Sequence, residues 1–473
     1  MNLAGAIAVQ HTGYDKSTLR TGIVHLGYGA FHRAHQAVFL DDYIEATDDH
    51  AWGIAAVNLR GSESTTFAAG QGKPDGYLLK TMAPDGQTRM RMVRSHIRFL
   101  DWTVARAETE AVLASEDVNA VTITVTESGY ALASDWSLNL DDPLISAEID
   151  GGTPASVYGF LARALDQRRQ AGGAPITILC CDNIRENGRV LERAFLSYLE
   201  ASGRSDLAAW VRSSTSFPCS MVDRITPRAT PELAEEIERL LPGQGTNAIH
   251  AEAFTQWVIE DRFAGPMPDL GRVGVEIVSD VHPYEEAKIR ILNGGHTALA
   301  YLGALAGHQT FDQAMADPAL RAHFDQWERD EVLPGLSLDL PFDADAYLGQ
   351  IAQRFGNAAI ADQLERICMD GYSKMPVFIR PTIRACLAQG RDVSAGFRSI
   401  ASWYVFARRA ANGDSPFPYH EPFWSELAPL LAPGQQQAFA RASRIWGDLP
   451  ELYPGFVPGV MNALQEMERT WPV

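Results

Sequence analysis

The sequence predicts an α/β fold, with a mostly parallel sheet through its N-terminal half and a largely α-helical C-terminal half. Three observations predict it. Short apolar runs alternate with helical stretches as far as about residue 280, the pattern of successive βαβ units. The first of these runs ends in a glycine turn that opens a helix. From Pro283 to the end, helical patterns dominate. At roughly 150 residues per domain, a chain of 473 residues suggests about two to four domains, since one core of that size is unusual. The Pro- and Gly-rich segment 265–283 (GPMPDLGRVGVEIVSDVHP) marks the expected boundary, giving domains 1–281 and 282–473.

In chain order, TGIVHLGYG (21–29) reads as a strand and FHRAHQAVFLDDYIEA (31–46) as a helix. WGIAAVNL (52–59), GYLLKTM (76–82), HIRFLDW (96–102), NAVTITVT (119–126) and APITILCCDN (174–183) read as further strands. TVARAETEAVLAS (103–115) and ASVYGFLARALDQRRQ (155–170) read as helices between them. The second half runs through PYEEAKIRILNGGHTALAYLGALAG, FDQAMADPALRAHFDQWERDEV and PFWSELAPLLAP. No internal repeat of 20–50 residues interrupts this order.

Composition narrows the function. The chain is 46% hydrophobic and 21% charged, an ordinary globular mixture. Lys plus Arg is 40 against 59 Asp plus Glu, a formal charge of −19. That balance argues against a nucleic-acid partner, which needs clustered cations, and against a polybasic membrane-surface protein. The start, MNLAGAIAVQHTGYDKS, has too short an apolar run and no basic n-region for a secretory signal, and no run is long enough to span a bilayer. The five cysteines are odd in number and form no C-x-x-C pair, which fits a reducing cytoplasm and no zinc ribbon. Nothing demands a partner subunit, so a monomer or small homo-oligomer is expected.

Two stretches carry chemistry. The first is Gly27-Tyr28-Gly29-Ala30-Phe31-His32, a G-x-G-x-x-H turn between the first strand and its helix. Gly27 allows the tight turn, and Gly29 lets the backbone approach a pyrophosphate at the helix N-terminus. The third glycine of the dinucleotide fingerprint, which serves close helix–strand packing, is replaced by His32. Gly27, Gly29, Ala30 and Phe31 are therefore the expected cofactor contacts. The second strand ends near Arg60 and Glu63. Glu63 suits the ribose hydroxyls of NAD, and Arg60 suits the 2′-phosphate of NADP. NAD is favoured, with NADP left open. His32 and His35 lie in the first helical turn, and one of them is expected to pack near cofactor or substrate.

The second stretch is Pro283 to His296. Pro283 fits a first helical position. At about 100° per residue, with Lys288 as zero, His296 falls near 80° and Asn293 near 140°, so all three project from one side. Gly294 and Gly295 each cost roughly 1 kcal/mol within a helix, which close approach of a nicotinamide or substrate would explain. Tyr284-x-x-x-Lys288 has the spacing of the short-chain dehydrogenase pair. That pair lies much nearer the glycine turn in a chain about half as long, so the match is read as accidental.

Together these residues resemble the polyol-specific long-chain dehydrogenases, the mannitol 2-dehydrogenase family. The markers are GYGAFHRAHQA (27–37), TVTESGY (124–130), CCDN (180–183), MVDRITP (221–227), QWVIEDRF (256–263), VHPYEEAKIRILNGGH (281–296) and DGYSKMPVFIRP (370–381). The resemblance implies an N-terminal Rossmann-type dinucleotide-binding domain, a helical substrate-binding domain, an active site in the cleft between them, and no metal. It implies that Lys288 is the general base, that Asn183 and Asn293 hold the substrate oxygen, and that His296 positions substrate and lysine. Glu127 is implied in proton exchange with solvent, and Asp223, Arg366 and Lys374 in contacts to the polyol chain. The family also includes arabinitol dehydrogenases and the reductases of fructuronate and tagaturonate.

Oxidising a secondary alcohol needs a base for the hydroxyl proton and a hydride acceptor. Lys288 must be neutral before turnover, so its pKa must fall from about 10.4 toward about 7–8, with burial the expected cause. Arg290 is expected to point elsewhere, and Asp182 to be structural. The substrate expected is a polyol with its ketose. A polyol is favoured over a sugar acid because no dense basic cluster is evident, although Arg366, Lys374 and Arg380 could seat a carboxylate. A non-catalytic dinucleotide sensor is the competing class. The Cys and His spacings offer no zinc ligand set.

Overall fold

The structure, a computed structural model, describes residues 8–133, 135–336 and 340–472. Residues 1–7, which carry part of the leader reading, lie outside the described residues. The chain divides into two compact units, one of Met1–Ala83 with Gln87–His282 and one of Pro84–Gly86 with Pro283–Val473.

The first unit is built on a six-stranded sheet. Its strands in chain order are Thr21–Leu26, Gly53–Asn58, His96–Asp101, Ala120–Ile123, Ile176–Cys180 and Thr215–Ser216. Every pairing is parallel, and the spatial order is 3-2-1-4-5-6, the Rossmann arrangement. The central strands are mostly apolar and buried along nearly their whole length because both faces are covered. The order reverses between the first and fourth strands, and Gly27 follows the first of these. It adopts φ +110°, and a Cβ there would run into the carbonyl of Thr124, just past the fourth strand. Glycine is thus required twice over, by conformation and by space.

His32 explains the missing third glycine. Its ring stacks flat on that of His25 on the first strand, with centroids 3.3 Å apart and planes 10° apart. Its Nε2 lies 2.9 Å from Nε2 of His96 on the third strand. Helix and strand are thus joined through a flat aromatic stack where glycine would permit direct approach. Nδ1 and Nε2 of His25 lie 2.8 and 2.9 Å from the hydroxyls of Thr122 and Thr124.

Some expectations need correction. The segment read as a strand over 76–82 is a strand, Tyr77–Met82, but it belongs to a separate mixed sheet of four. There it pairs antiparallel with Thr88–Val93 and parallel with Ile249–Glu252. A third sheet joins Ser220–Asp223, Gln256–Glu260 and Glu276–Val278. The helix over 31–46 is broken at His35 (φ −126°, ψ −90°) into Ala30–Ala34 and Gln36–Thr47. His35 is buried there, its Nε2 on the carbonyl of Gln256 at 2.8 Å.

The second unit is helical, with Gly294–Leu305 buried beside the long helix Ser394–Ala411, which also packs on Phe456–Thr470. The expected regular helix through Lys288 is not regular. Its α-helical first turns, His282–Ala287, give way to a π-helical stretch, Lys288–Asn293, before α-helix resumes at Gly294. The wider i→i+5 turn displaces the angular positions calculated at 100° per residue. Two further π-helical stretches, Trp327–Val332 and Met375–Ile379, pack against this one. The paired glycines are accounted for within the unit. A Cβ on Gly294 would lie 3.2 Å from the carbonyl of Phe378, and one on Gly295 would overlap the carboxyl of Glu328 and lie 2.9 Å from the Phe324 ring. Close packing is confirmed, but its agent is neighbouring protein rather than a ligand. Glu328 is fully buried with neither oxygen hydrogen-bonded among the described residues, and burial pushes its carboxyl well above the usual range.

Two predictions follow from this packing. Ala at Gly295 must displace Glu328 and Phe324, so Gly295→Ala should destabilise the fold by about 1–3 kcal/mol in chemical denaturation. Burial holds His25, His32 and His96 below the ordinary value of 6.5, His32 down to about 3. Below pH 6.5 the unfolded chain therefore binds more protons than the folded one. The stability of the neutral cluster is complete above about pH 6.5 and is lost as pH falls toward 3. Tm measured from about pH 7.5 to about pH 4 should fall with acidification, and less steeply in His32→Asn. An unchanged slope in that variant would count against the neutral stack.

Candidate active site

The first unit places its candidate residues at the carboxyl ends of the parallel strands, where open α/β sheets bind ligands. Gly29 is exposed and caps the short helix Ala30–Ala34, and a Cβ there would have no neighbour within 4 Å. Ala30 and Phe31 follow in its first turn, both partly exposed, with the Phe31 ring stacked on His35 at 5.0 Å. The glycine turn thus leaves the approach that a dinucleotide pyrophosphate needs. Arg60 and Glu63 follow the second strand. Glu63 is exposed and makes no ion pair among the described residues. Arg60 lies over Gly129, close enough that a Cβ there would sit 2.6 Å from its guanidinium.

Glu127 and Asn183 are both exposed, on the loops after the fourth and fifth strands. One side chain ties these loops together. Asp182 accepts from the backbone N–H groups of Val125 at 2.8 Å and Thr126 at 3.1 Å, and from the Tyr130 hydroxyl at 2.7 Å. Burial raises its pKa, against those hydrogen bonds. Thr126, next to Glu127, is held at φ +68°, an unusual conformation for a β-branched residue. Strain of this kind persists only where the surroundings enforce it. Asn187 continues the brace: it donates to the carbonyls of Asp182 (3.1 Å) and Ser220 (2.8 Å) and accepts from the Ser220 N–H. It thereby fixes the strand Ser220–Asp223, which ends in the buried Asp223.

The second unit holds the other candidates. Lys288 is buried, 7% exposed, at the head of the π-helical stretch. Arg290 does point elsewhere: it donates to Glu286 (2.8 Å), the Thr382 hydroxyl (2.7 Å) and the Gly335 carbonyl (3.2 Å). Tyr284 is buried against Phe342, with ring centroids 5.5 Å apart. Asn293 ends the π stretch, and His296 follows in the next turn, between the rings of Phe311 (4.3 Å) and Phe355 (4.8 Å). Burial lowers the His296 pKa to about 3, against the nearby carboxylate of Asp362. Two buried polar atoms, Oδ1 of Asn293 and Nε2 of His296, have no hydrogen-bond partner among the described residues.

The charges of Arg366, Lys374 and Arg354 add to burial in keeping the His296 ring neutral. Arg366 is clamped by Asp362, and Lys374 donates to the carbonyl of Ile367 at 2.9 Å. Arg380 donates to the carbonyl of Ile445 at 3.1 Å. Sequence reasoning missed Asp362, Asn187 and the strained Thr126. The Asp362-x-x-x-Arg366 spacing was the available signal for the first, and the others had none. All five cysteines are buried thiols. No group of three or more His, Cys, Asp or Glu among the described residues could hold a metal ion, and no helix among them is long and apolar enough to cross a membrane.

Comparison with known proteins agrees over nearly the whole chain. The mannitol dehydrogenase Rossmann-domain family model matches residues 21–272, and the mannitol dehydrogenase C-terminal domain model matches residues 280–468. A D-arabinitol 4-dehydrogenase of Ralstonia nicotianae is 36% identical over 431 residues, covering 90% of this chain and 92% of its own. A D-mannonate oxidoreductase of Escherichia coli is 35% identical over 473 residues, covering 98% of this chain and 96% of its own. The solved mannitol 2-dehydrogenase of Pseudomonas fluorescens, a ternary complex with NAD and D-mannitol, superposes with a TM-score of 0.87 at 32% identity, covering 98% and 94% of the two chains. With both of its halves matched, the chain belongs to the mannitol dehydrogenase family of oxidoreductases.

Proposed function

We propose that the protein is an NAD(P)-dependent dehydrogenase that interconverts a sugar alcohol and its ketose at a secondary hydroxyl, with a lysine base and no metal. One observation carries the reading: a buried lysine heads a π-helical stretch, and Asn293 at its end and His296 in the α-helix that follows each keep a buried polar atom unpartnered. A buried polar atom without a partner is costly, and a ligand beside Lys288 would satisfy both of these at once. A hydroxyl-rich substrate supplies both donors and acceptors. The relatives named for mannitol and arabinitol support the class.

In this reading Gly27, Gly29, Ala30 and Phe31 hold the dinucleotide, with Glu63 toward the ribose and NAD preferred over NADP. The bound nicotinamide supplies the hydride acceptor. Lys288, neutral, takes the hydroxyl proton. The amides of Asn183 and Asn293 donate to the developing alkoxide, where a single well-placed donor is worth roughly 3 kcal/mol. His296 orients the substrate and the lysine. Glu127, exposed at its loop, exchanges the proton with water. Asp223, Arg366 and Lys374 read the remaining hydroxyls. The relative named D-mannonate oxidoreductase favours a second reading, reduction of a keto sugar acid of the fructuronate or tagaturonate kind.

Mannitol, arabinitol, sorbitol and altritol, assayed against fructuronate with both cofactors, separate the two readings. Polyol oxidation is expected, and activity confined to sugar acids would overturn it. Lys288→Ala should lower kcat by about 10²–10⁴-fold while NAD binding, followed by calorimetry, is retained. Unchanged turnover would remove the lysine base, and a wild type that binds NAD without turnover would favour a sensor. Tyr284→Phe should keep wild-type kcat, because the ring serves packing on Phe342. Its loss of activity would instead point to a Tyr–Lys mechanism.

A further inference from the structure

Asp362 is a residue to which no role has yet been attached, and its surroundings are unusual. Its carboxylate is 6% exposed, yet it holds a side chain that is 51% exposed. Oδ1 accepts from Nε of Arg366 at 3.0 Å and from Nη2 at 2.7 Å, and Oδ2 accepts from the same Nη2. This occupies the Nε/Nη2 edge of the guanidinium and leaves Nη1 without a hydrogen bond among the described residues. On its other side, Oδ2 lies 3.8 Å from Nε2 of His296. The backbone that carries Asp362 is fixed as well. Its carbonyl accepts from the N–H of Phe311, the residue whose ring packs on His296, and the following Leu364 N–H donates to Gln309.

Stability does not explain this arrangement. An i,i+4 ion pair with one exposed partner stabilises only weakly, and desolvating its carboxylate costs more than the pair returns. What the carboxylate does accomplish is geometric and electrostatic. It fixes the guanidinium plane, and its charge cancels that of Arg366. A carboxylate ligand binds arginine best through two parallel N–H···O bonds; the Nε/Nη2 edge is filled, and the Nη1/Nη2 edge shares the Nη2 that already contacts both oxygens of Asp362. Lys374 is turned to the Ile367 carbonyl and Arg380 to the Ile445 carbonyl. On Arg366, Nη1 remains as a donor that suits a hydroxyl oxygen.

We propose that Asp362 is a positioning residue that sets the substrate class. By filling the Nε/Nη2 edge of Arg366, drawing on the Nη2 of its other edge and cancelling its charge, it leaves the arginine to read the hydroxyls of a neutral sugar alcohol and denies a sugar acid an unshared bidentate seat. The inference rests on the dehydrogenase reading above.

The test is a double-mutant cycle of Asp362→Ala and Arg366→Ala, with Asp362→Asn as the conservative variant, assayed on mannitol or arabinitol and on fructuronate. Asp362→Ala should raise the polyol KM about tenfold or more with a smaller change in kcat, the pattern of lost binding. Asp362→Asn, which keeps one acceptor for the guanidinium, should recover part of that loss. In the Arg366→Ala background, Asp362→Ala should add little, because the residue acts through the arginine. The ratio of kcat/KM for fructuronate to that for the polyol should rise in both Asp362 variants. Independent, multiplying effects of the two Ala substitutions, or an unchanged substrate ratio, would overturn the proposal. Asp362→Asn and Arg366→Ala, the latter at a half-exposed site, keep the cycle readable if Asp362→Ala does not fold. Failure of the dehydrogenase reading shows separately, as a wild type without cofactor-linked polyol turnover.

Discussion

At two of the places where a methyl group has no room, one in each unit, glycines set the candidate segments. In the first unit the backbone after the first strand passes against the carbonyl of Thr124, and only Gly27, at φ +110°, fits. That contact lies where the strand order reverses, so it brings the glycine turn beside the loop that carries Glu127. In the second unit Gly295 lets the helix after Asn293 press against Phe324 and Glu328. A Cβ against the Thr124 carbonyl cannot be relieved by a rotamer change, and at Gly295 the obstacle is a pair of side chains held in a packed core.

Around these contacts, polar groups are buried with care. Three histidines under the glycine turn are neutral and share hydrogen bonds with one another and with two threonines. Two aspartates act as braces, each adjacent to functional candidates rather than among them. Asp182 binds the loops of Glu127 and Asn183 to each other. Asp362 binds Arg366 and sits beside His296. A carboxylate accepts several hydrogen bonds at once, which is why one residue can hold two loops in register.

Among the buried polar atoms left without a partner, two share the helix that carries Lys288. Asn293 and His296 leave one atom each unpartnered on the helix that Lys288 heads, whereas Arg366, Lys374 and Arg380 already hold protein acceptors. A ligand that can both donate and accept is matched to the first group, and an anion gains little from the second. The selectivity argued for a neutral substrate thus comes from which hydrogen-bonding capacity the protein has spent on itself.

The alternation of apolar runs with helical periods determined five of the six strands of the parallel sheet and the helical half, because burial on both faces writes itself into local composition. The glycine turn and the Lys288–Asn293–His296 spacing were legible for the same reason: each lies within a dozen residues. The mixed sheet through Tyr77–Met82 was not, since its partners Thr88–Val93 and Ile249–Glu252 are chosen by tertiary pairing. Nor was the π-helical turn at Lys288, which depends on what two distant π-helical stretches press against it. The paired glycines announced a close approach, but only the fold decided that Glu328, Phe324 and Phe378 make it. Likewise the basic residues were visible as charges, and only the structure showed that Asp362 and backbone carbonyls already occupy them. Local pattern fixes which residues carry chemistry, and long-range packing decides which of their atoms remain free to use it.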